Sequence, residues 1–230
     1  MLNSQQIHRW TGIAVFLVTL GVYVKTMAPT VAFWDCGEFI ATAYTMSVPH
    51  PPGSPLYVLL GRIFSLIPIG EVAVRINFMS ALSSALAIWC VYLTTAALGR
   101  RALGGHPLQP FDDTRDIGVI AGAAVAALTL AFSYTQWYNA SEAEVYGYSI
   151  LFTCLGLWLI VYWEGTGHGQ QNDRWLFAIA YLFGLGGGLH LLCLLTIPSL
   201  LILAWFSDDY PLRRVIKYLI GLGIVGFVAI

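Results

Sequence analysis

The sequence predicts an all-α integral membrane protein, and two observations carry that fold class. The chain of 230 residues is 58% hydrophobic and only 10% charged, with a mean hydropathy of +0.73, whereas soluble domains are about one quarter charged. Its apolar residues also fall into repeated runs, several long enough to cross a hydrocarbon core of about 30 Å. Eleven basic against twelve acidic residues leave a net charge of −1, so the chain lacks the electrostatic footprint of a nucleic-acid binder. The four cysteines (Cys36, Cys90, Cys154, Cys193) are widely spaced, form no CxxC or metal-type pair, and read as buried thiols.

Taken in order, residues 1–8 are polar, and Arg9 precedes a first apolar run from about Trp10 to Met27. No small-residue cleavage site follows it, so it reads as an anchor. The stretch from Ala28 to Glu71 is amphipathic, and residues 28–73 form the first outer loop. Residues 33–47 predict a helix that the Pro49–Pro55 cluster ends. Leu56–Leu66 predicts a second helix, too short to span, and both are expected to lie along or dip into the interface. A second span runs from about Val74 to Leu98, rich in the small residues Ser80, Ala81, Ser83, Ser84 and Ala85 that let membrane helices approach closely. After a polar loop, a third span covers Ile117 to about Tyr134, with Trp137 and Tyr138 as interfacial belt residues.

The fourth span is read from about Tyr148 to Trp163. Trp175–Phe206 is too long for one span and is interrupted by Gly184-Leu-Gly-Gly-Gly-Leu-His190. Two short tilted helices, about 175–188 and 191–206, are expected there. Tyr218–Ile230 begins a seventh span that stops after thirteen residues, against about 17–25 for a stable one. The expectation is therefore six spans plus the start of a seventh, with residues 1–230 as the N-terminal part of a longer transmembrane domain.

Charge counting orients this topology. With the N-terminus cytoplasmic, Arg9, Arg100, Arg101, Arg115, Arg174, Arg213, Arg214 and Lys217 lie inside, against Lys25, Arg62 and Arg75 outside. Eight against three satisfies the positive-inside rule, provided that 175–206 is a hairpin. Asp35, Glu38, His50, Glu142, Glu144 and His190 then share the extracytoplasmic side. The inner acids Asp112, Asp113, Asp116, Asp208 and Asp209 read as solvated loop charge.

Chemistry concentrates in Thr30–Tyr44 and Val48–Tyr57. Asp35 and Glu38, three residues apart, share a helix face with Cβ atoms about 5–6 Å apart. Carboxylates that close, if partly desolvated, raise each other's pKa, so that one serves as a general base; the same pair also reads as a solvated face of an interfacial helix. Glu142 and Glu144 stand at the mouth of the fourth span, where Ser141 is expected to cap the helix and place both acids in its first turn. His50 between Pro49 and Pro51 is held extended and is a candidate contact to a phosphate or sugar. His190 follows three glycines, where backbone groups come free to bind. Arg62 offers a guanidinium matched to phosphate geometry, while Arg75 reads as a headgroup anchor. Neither a Walker motif nor HExxH or GxSxG occurs in a supporting context.

Pro29-Thr-Val-Ala-Phe-Trp-Asp-Cys-Gly-Glu-Phe39, His50-Pro-Pro-Gly-Ser-Pro-Leu-Tyr57 and Ala143-Glu-Val-Tyr146 resemble one known family. They are similar to the protein O-mannosyltransferase-like membrane proteins of the GT-C glycosyltransferase superfamily, the group that includes transmembrane protein 260. The resemblance implies a multi-pass helical bundle with amphipathic interfacial helices in its first outer loop. It implies transfer of a sugar, mannose foremost, from a polyprenyl- or dolichyl-phosphate carrier to a Ser/Thr hydroxyl of protein, with inversion. By motif, Asp35 would be the base, Glu38 a supporting acid and Glu144 a second active-site acid. His50, Arg62, Glu142, Tyr146 and His190 would contact substrate. The partners so implied are the lipid-linked donor, a protein acceptor and membrane lipid. Outer acids can hold a divalent cation through oxygen ligands, yet the resemblance implies a metal-independent reaction, so no cofactor is expected. The expected location is a bacterial inner membrane, with the active site extracytoplasmic.

Two rival readings use the same residues. A transporter or carrier-binding protein predicts ionisable groups along the spans, which are nearly free of them. A silent scaffold predicts that Asp35→Asn changes nothing beyond expression.

Overall fold

The computed structural model describes residues 3–111, 115–166 and 173–205, with residues 213, 215–217, 219–221 and 224. Asp112, Asp113, Asp208, Asp209, Arg214 and most of the run Tyr218–Ile230 lie outside the described residues. Among those described there are helices and no strands, which bears out the helical class. The helices are α1 (Ser4–Thr26), α2 (Cys36–Thr45), α3 (Pro55–Ser65), α4 (Val72–Ala102), α5 (Arg115–Ala131), α6 (Tyr134–Ala140), α7 (Val145–Gly165), α8 (Asp173–Gly187) and α9 (Ile197–Trp205). A 3-10 helix, Leu191–Thr196, leads into α9.

Helix α1 starts earlier than its apolar run because Asn3 and Gln6 close a capping box. Asn3 Oδ1 accepts from the Gln6 amide at 2.8 Å, and Gln6 Oε1 accepts from the Asn3 amide at 3.1 Å, satisfying two end donors at once. Helix α4 is the axis of the bundle and packs against α1, α5 and α7. Its run of Ser80, Ala81, Ser83, Ser84 and Ala85 is buried, as expected of a face that lets neighbours come close. Ala123, Ala127 and Ala131 recur every four residues on α5 and are buried. With Val15 of α1 and Ile88, Tyr92 and Ala96 of α4 they make one apolar cluster.

Among the described residues three helices, α1, α4 and α7, are long and apolar enough to cross a membrane. A fourth span is reached only if α5 and α6, bent by 67° at their junction, count as one. Among the described residues the expected six spans are not reached on length and composition. α8 and the segment after it remain short apolar helices, because the chain breaks after Gly187, as anticipated at the glycine run. The two short helices expected between the first spans are present: α2 and α3 pack on each other and on α4. Beneath them lies a cluster of Cys36, Phe39, Ile40, Ala43, Tyr57, Ile76, Met79, Ala143 and Val145, the floor on which the polar residues stand. All four cysteines are free and buried.

Candidate active site

The acids of the first outer loop are positioned by α2. Cys36, Phe39, Ile40 and Ala43 are its buried apolar residues, the one-face spacing of an amphipathic helix, and burying them turns Glu38 outward. Asp35 is the N-cap residue and Glu38 lies in the first turn, where the helix dipole favours negative charge. The helix ends at Met46 in a left-handed conformation, φ 56, and the chain turns back toward its start. That return delivers His50 to Glu38. Glu38 Oε1 accepts from the His50 amide at 2.6 Å, and Glu38 Oε2 meets His50 Nδ1 at 2.8 Å. Both side chains remain accessible to solvent. The carboxylate's bond raises the His50 pKa, and the same two bonds lower that of Glu38.

Asp35, Glu38 and His50 bring potential ligand atoms within 4.8 Å of one another. The set has the oxygen and nitrogen donors that a divalent cation takes. Both oxygens of Glu38 are, however, already engaged by His50.

Glu142 and Glu144 arrive from the other side of the site. The expected Ser141 cap is not what forms. Ser141 instead closes α6, its amide donating to the Tyr138 carbonyl at 3.0 Å and its hydroxyl to the Trp137 carbonyl at 2.9 Å. The N-cap of α7 is Glu144, in extended conformation, so both acids precede the helix and neither lies in its first turn. The physical reason is the short α6, whose own C-terminal carbonyls compete for the serine. Both acids are buried, at 6% and 7% exposure. Burial raises the Glu142 pKa. It pushes Glu144 up to about 7, with the charges of Asp35 and Glu142 adding to the effect. Asp35, Glu38, His50 and Glu144 therefore share one electrostatic site.

His190 and Tyr146 are joined on its flank, their rings 5.5 Å apart. His190 Nδ1 accepts from the Leu192 amide at 3.2 Å and caps the 3-10 helix. The proline-cluster loop is tied to the same break in the chain: Ser54 Oγ donates to the Leu189 carbonyl at 3.0 Å, and the Leu56 amide to that of Gly188 at 3.0 Å. Arg62 goes elsewhere. Its Nη1 donates to the Tyr44 carbonyl at 2.7 Å and its guanidinium lies over the Tyr44 ring, which fastens α3 to the end of α2. Arg75 likewise gives three bonds to the carbonyls of Ser65, Ile69 and Gly70 and acts as a turn staple.

Two residues not singled out from the sequence complete the setting. Asn77 of α4 is fully buried, and its Nδ2 donates to the carbonyls of Ala28 at 2.8 Å and Thr30 at 3.0 Å. Its Oδ1 lies 3.8 Å from the Cys36 thiol. Tyr57 is fully buried beneath the acids, in the apolar cluster under α2 and α3. An amide in the first turns of an apolar helix is the signal that exposes Asn77, since polar groups at membrane depth are retained for a purpose. Tyr57 is a ring in an apolar run and carries no such signal.

A family model, the N-terminal domain of protein O-mannosyl-transferase TMEM260, matches residues 35–213. Protein O-mannosyl-transferase TMEM260 of Mus musculus is 30% identical over 163 residues, covering 70% of this chain and 21% of the mouse protein. Protein O-mannosyl-transferase tmem260 of Dictyostelium discoideum is 30% identical over 200 residues, covering 81% of this chain and 22% of that protein. The chain spans about a fifth of the length of these relatives. No solved structure matches it.

Proposed function

The chain belongs to the family of the protein O-mannosyl-transferase TMEM260 N-terminal domain, and we propose that it carries the catalytic site of a membrane mannosyltransferase. The donor is a polyprenyl- or dolichyl-phosphate mannose and the acceptor a Ser/Thr hydroxyl of a protein on the extracytoplasmic side. The observation that carries this reading is the meeting of Asp35, Glu38 and His50 within 4.8 Å, with the buried Glu144 electrostatically coupled to Asp35.

The reaction breaks the bond between mannose C1 and the phosphate oxygen and forms a bond from C1 to the acceptor oxygen, with inversion at C1. The hydroxyl proton passes to the base, and the bonding electrons leave with the polyprenyl phosphate. Asp35 is the base, because it stands accessible at the helix start while Glu144 is buried. Two carboxyls in different environments divide their roles in this way. Glu144, near half-protonated at neutral pH, spares Asp35 a second full negative charge. Glu38 is a positioning residue that holds His50 and favours its cationic form, and the imidazolium faces the charge of the departing phosphate. The carboxylates and His50 do this work without a resident metal ion.

The test uses membranes containing the protein, supplied with radiolabelled polyprenyl-phosphate mannose. At matched expression Asp35→Asn is expected to lower label transfer to protein by a factor of about 10² or more, the usual contribution of a positioned base. Equal transfer in wild type and variant removes Asp35 from the mechanism.

A further inference from the structure

The residues just before Asp35 have a property that catalysis does not explain. Ala28-Pro-Thr-Val-Ala-Phe-Trp34 contains no charge and leaves large apolar side chains in the open. Val31 is exposed, Phe33 is 85% exposed and Trp34 84%. Trp34 also adopts φ 62, a left-handed conformation that is strained for a bulky L side chain. Strained backbone persists only where its surroundings impose it, and here the imposing contacts are visible. Asn77 grips the segment on both sides of its tip, through the carbonyls of Ala28 and Thr30 before it and the Cys36 thiol after it. Val31 closes on the far side, 3.1 Å from where a Cβ on Gly37 would stand. The tip is thus a short closed loop, fastened to a spanning helix and presenting two aromatic rings outward.

Its position says what those rings meet. Helix α1 ends at Thr26 and α4 begins at Val72, so the loop emerges where two span-length helices reach the same end of the bundle. Aromatic side chains are enriched at that level, between hydrocarbon and water. Lys25, exposed in the last turn of α1, adds a cation to the same end of the bundle.

We propose that Val31, Phe33 and Trp34 form a wedge that inserts into the lipid headgroup layer, clamped by Asn77 so that insertion sets the depth of Asp35. The partner is a lipid surface. A base that deprotonates a hydroxyl attacking a lipid-linked sugar must sit near the level of the headgroups, and a rigid wedge one residue away supplies that reference. This consequence for Asp35 rests on the mannosyl-transfer reading; the contact with lipid does not, and it is read without turnover.

The experiment places the protein in nanodiscs whose lipids are brominated either near the headgroup or at the chain ends. Subtracting the tryptophan emission of Trp34→Phe from that of wild type isolates Trp34 from the seven other tryptophans of the chain's eight. Headgroup-proximal bromines are expected to remove about half of the Trp34 increment, and chain-end bromines much less, as for an interfacial aromatic. Asn77→Asp keeps the side-chain volume but loses both donors, and its Trp34 increment, isolated by the paired Asn77→Asp/Trp34→Phe variant, is expected to lose that preference for depth. A Trp34 increment indifferent to both bromines overturns the wedge, as does one that changes only when acceptor peptide is added. A depth preference unchanged in Asn77→Asp, or in Asn77→Ala should the aspartate variant fail to fold, overturns the clamp. If mannosyl transfer is absent while quenching is present, the lipid contact stands and the catalytic reading falls.

Discussion

A buried carboxyl resists ionisation because its charged form has lost its water and gained little in return. Glu144 is in that position, raised from 4.5 to about 7 by burial first and by Asp35 and Glu142 next. Its folded pKa lies above the unfolded one, so the folded state holds the proton more tightly. Its contribution to stability is therefore complete below about pH 4.5 and is lost as pH rises through about 7. Glu144→Gln is neutral at every pH and escapes that loss. The variant is expected to gain on wild type between pH 5 and pH 8 by on the order of 1 kcal/mol, measured by thermal denaturation in detergent at both pH values. A constant difference across that range would mean that Glu144 is ionised throughout. The candidate acids and His50 were legible in the sequence because charge is rare in so apolar a chain. What each contacts was not, since Glu38 and His50 meet through the left-handed turn at Met46, which no spacing rule announces. Arg62 was legible as a cation but not as a clamp, because a backbone carbonyl competes for guanidinium as well as phosphate does.

At the scale of elements, the site depends on how closely α2 and α3 approach. Gly61 of α3 faces Ala43 of α2 so tightly that an added Cβ would stand 2.7 Å from the alanine Cβ. Neither partner has a flexible end that can move aside, so the helices must part. Gly61→Ala is expected to cost about 1–3 kcal/mol through overpacking and to slow transfer as Glu38 and His50 shift together. Gly122→Ala is the control: an added Cβ there meets nothing within 4 Å, so neither stability nor activity is expected to fall. Parallel melting curves and transfer rates separate the two cases. Helix existence was readable from apolar periodicity and from proline, as α2 and α3 show. Their ends were less so, for a physical reason seen at Ser141. A serine between two helices satisfies either the carbonyls behind it or the amides ahead, and only the fold decides which.

Over the described molecule, the acid cluster and the ion-paired arginines lie toward opposite ends of α4. Asn77, with the acid cluster above it, occupies one end. Arg100, paired with Asp116 at 3.2 Å, and Arg101, paired with Glu164, occupy the other. The 23 residue steps from position 77 to position 100 span about 35 Å of helix, close to the thickness of a hydrocarbon core. This separation was foreshadowed by the distribution of basic residues, whereas the span count was not, because α5 is short and bends into α6 and the chain breaks at Gly187. Which end faces the cytoplasm is a charge argument, eight basic residues against three, and it yields a direct prediction. The four native cysteines are buried and give a low background for thiol labelling. Cysteines introduced at Ser47, in the exposed loop after α2, and at Ala102, exposed at the end of α4, report on opposite ends of the bundle. In intact cells a membrane-impermeant maleimide is expected to label Ser47→Cys and to spare Ala102→Cys until the membrane is opened. The reverse pattern would put Asp35 on the cytoplasmic side and remove the lipid-linked donor from reach. Labelling of both before permeabilisation would mean that α4 does not cross the membrane, and with it the division of the molecule into an acid end and a basic end would lose its meaning.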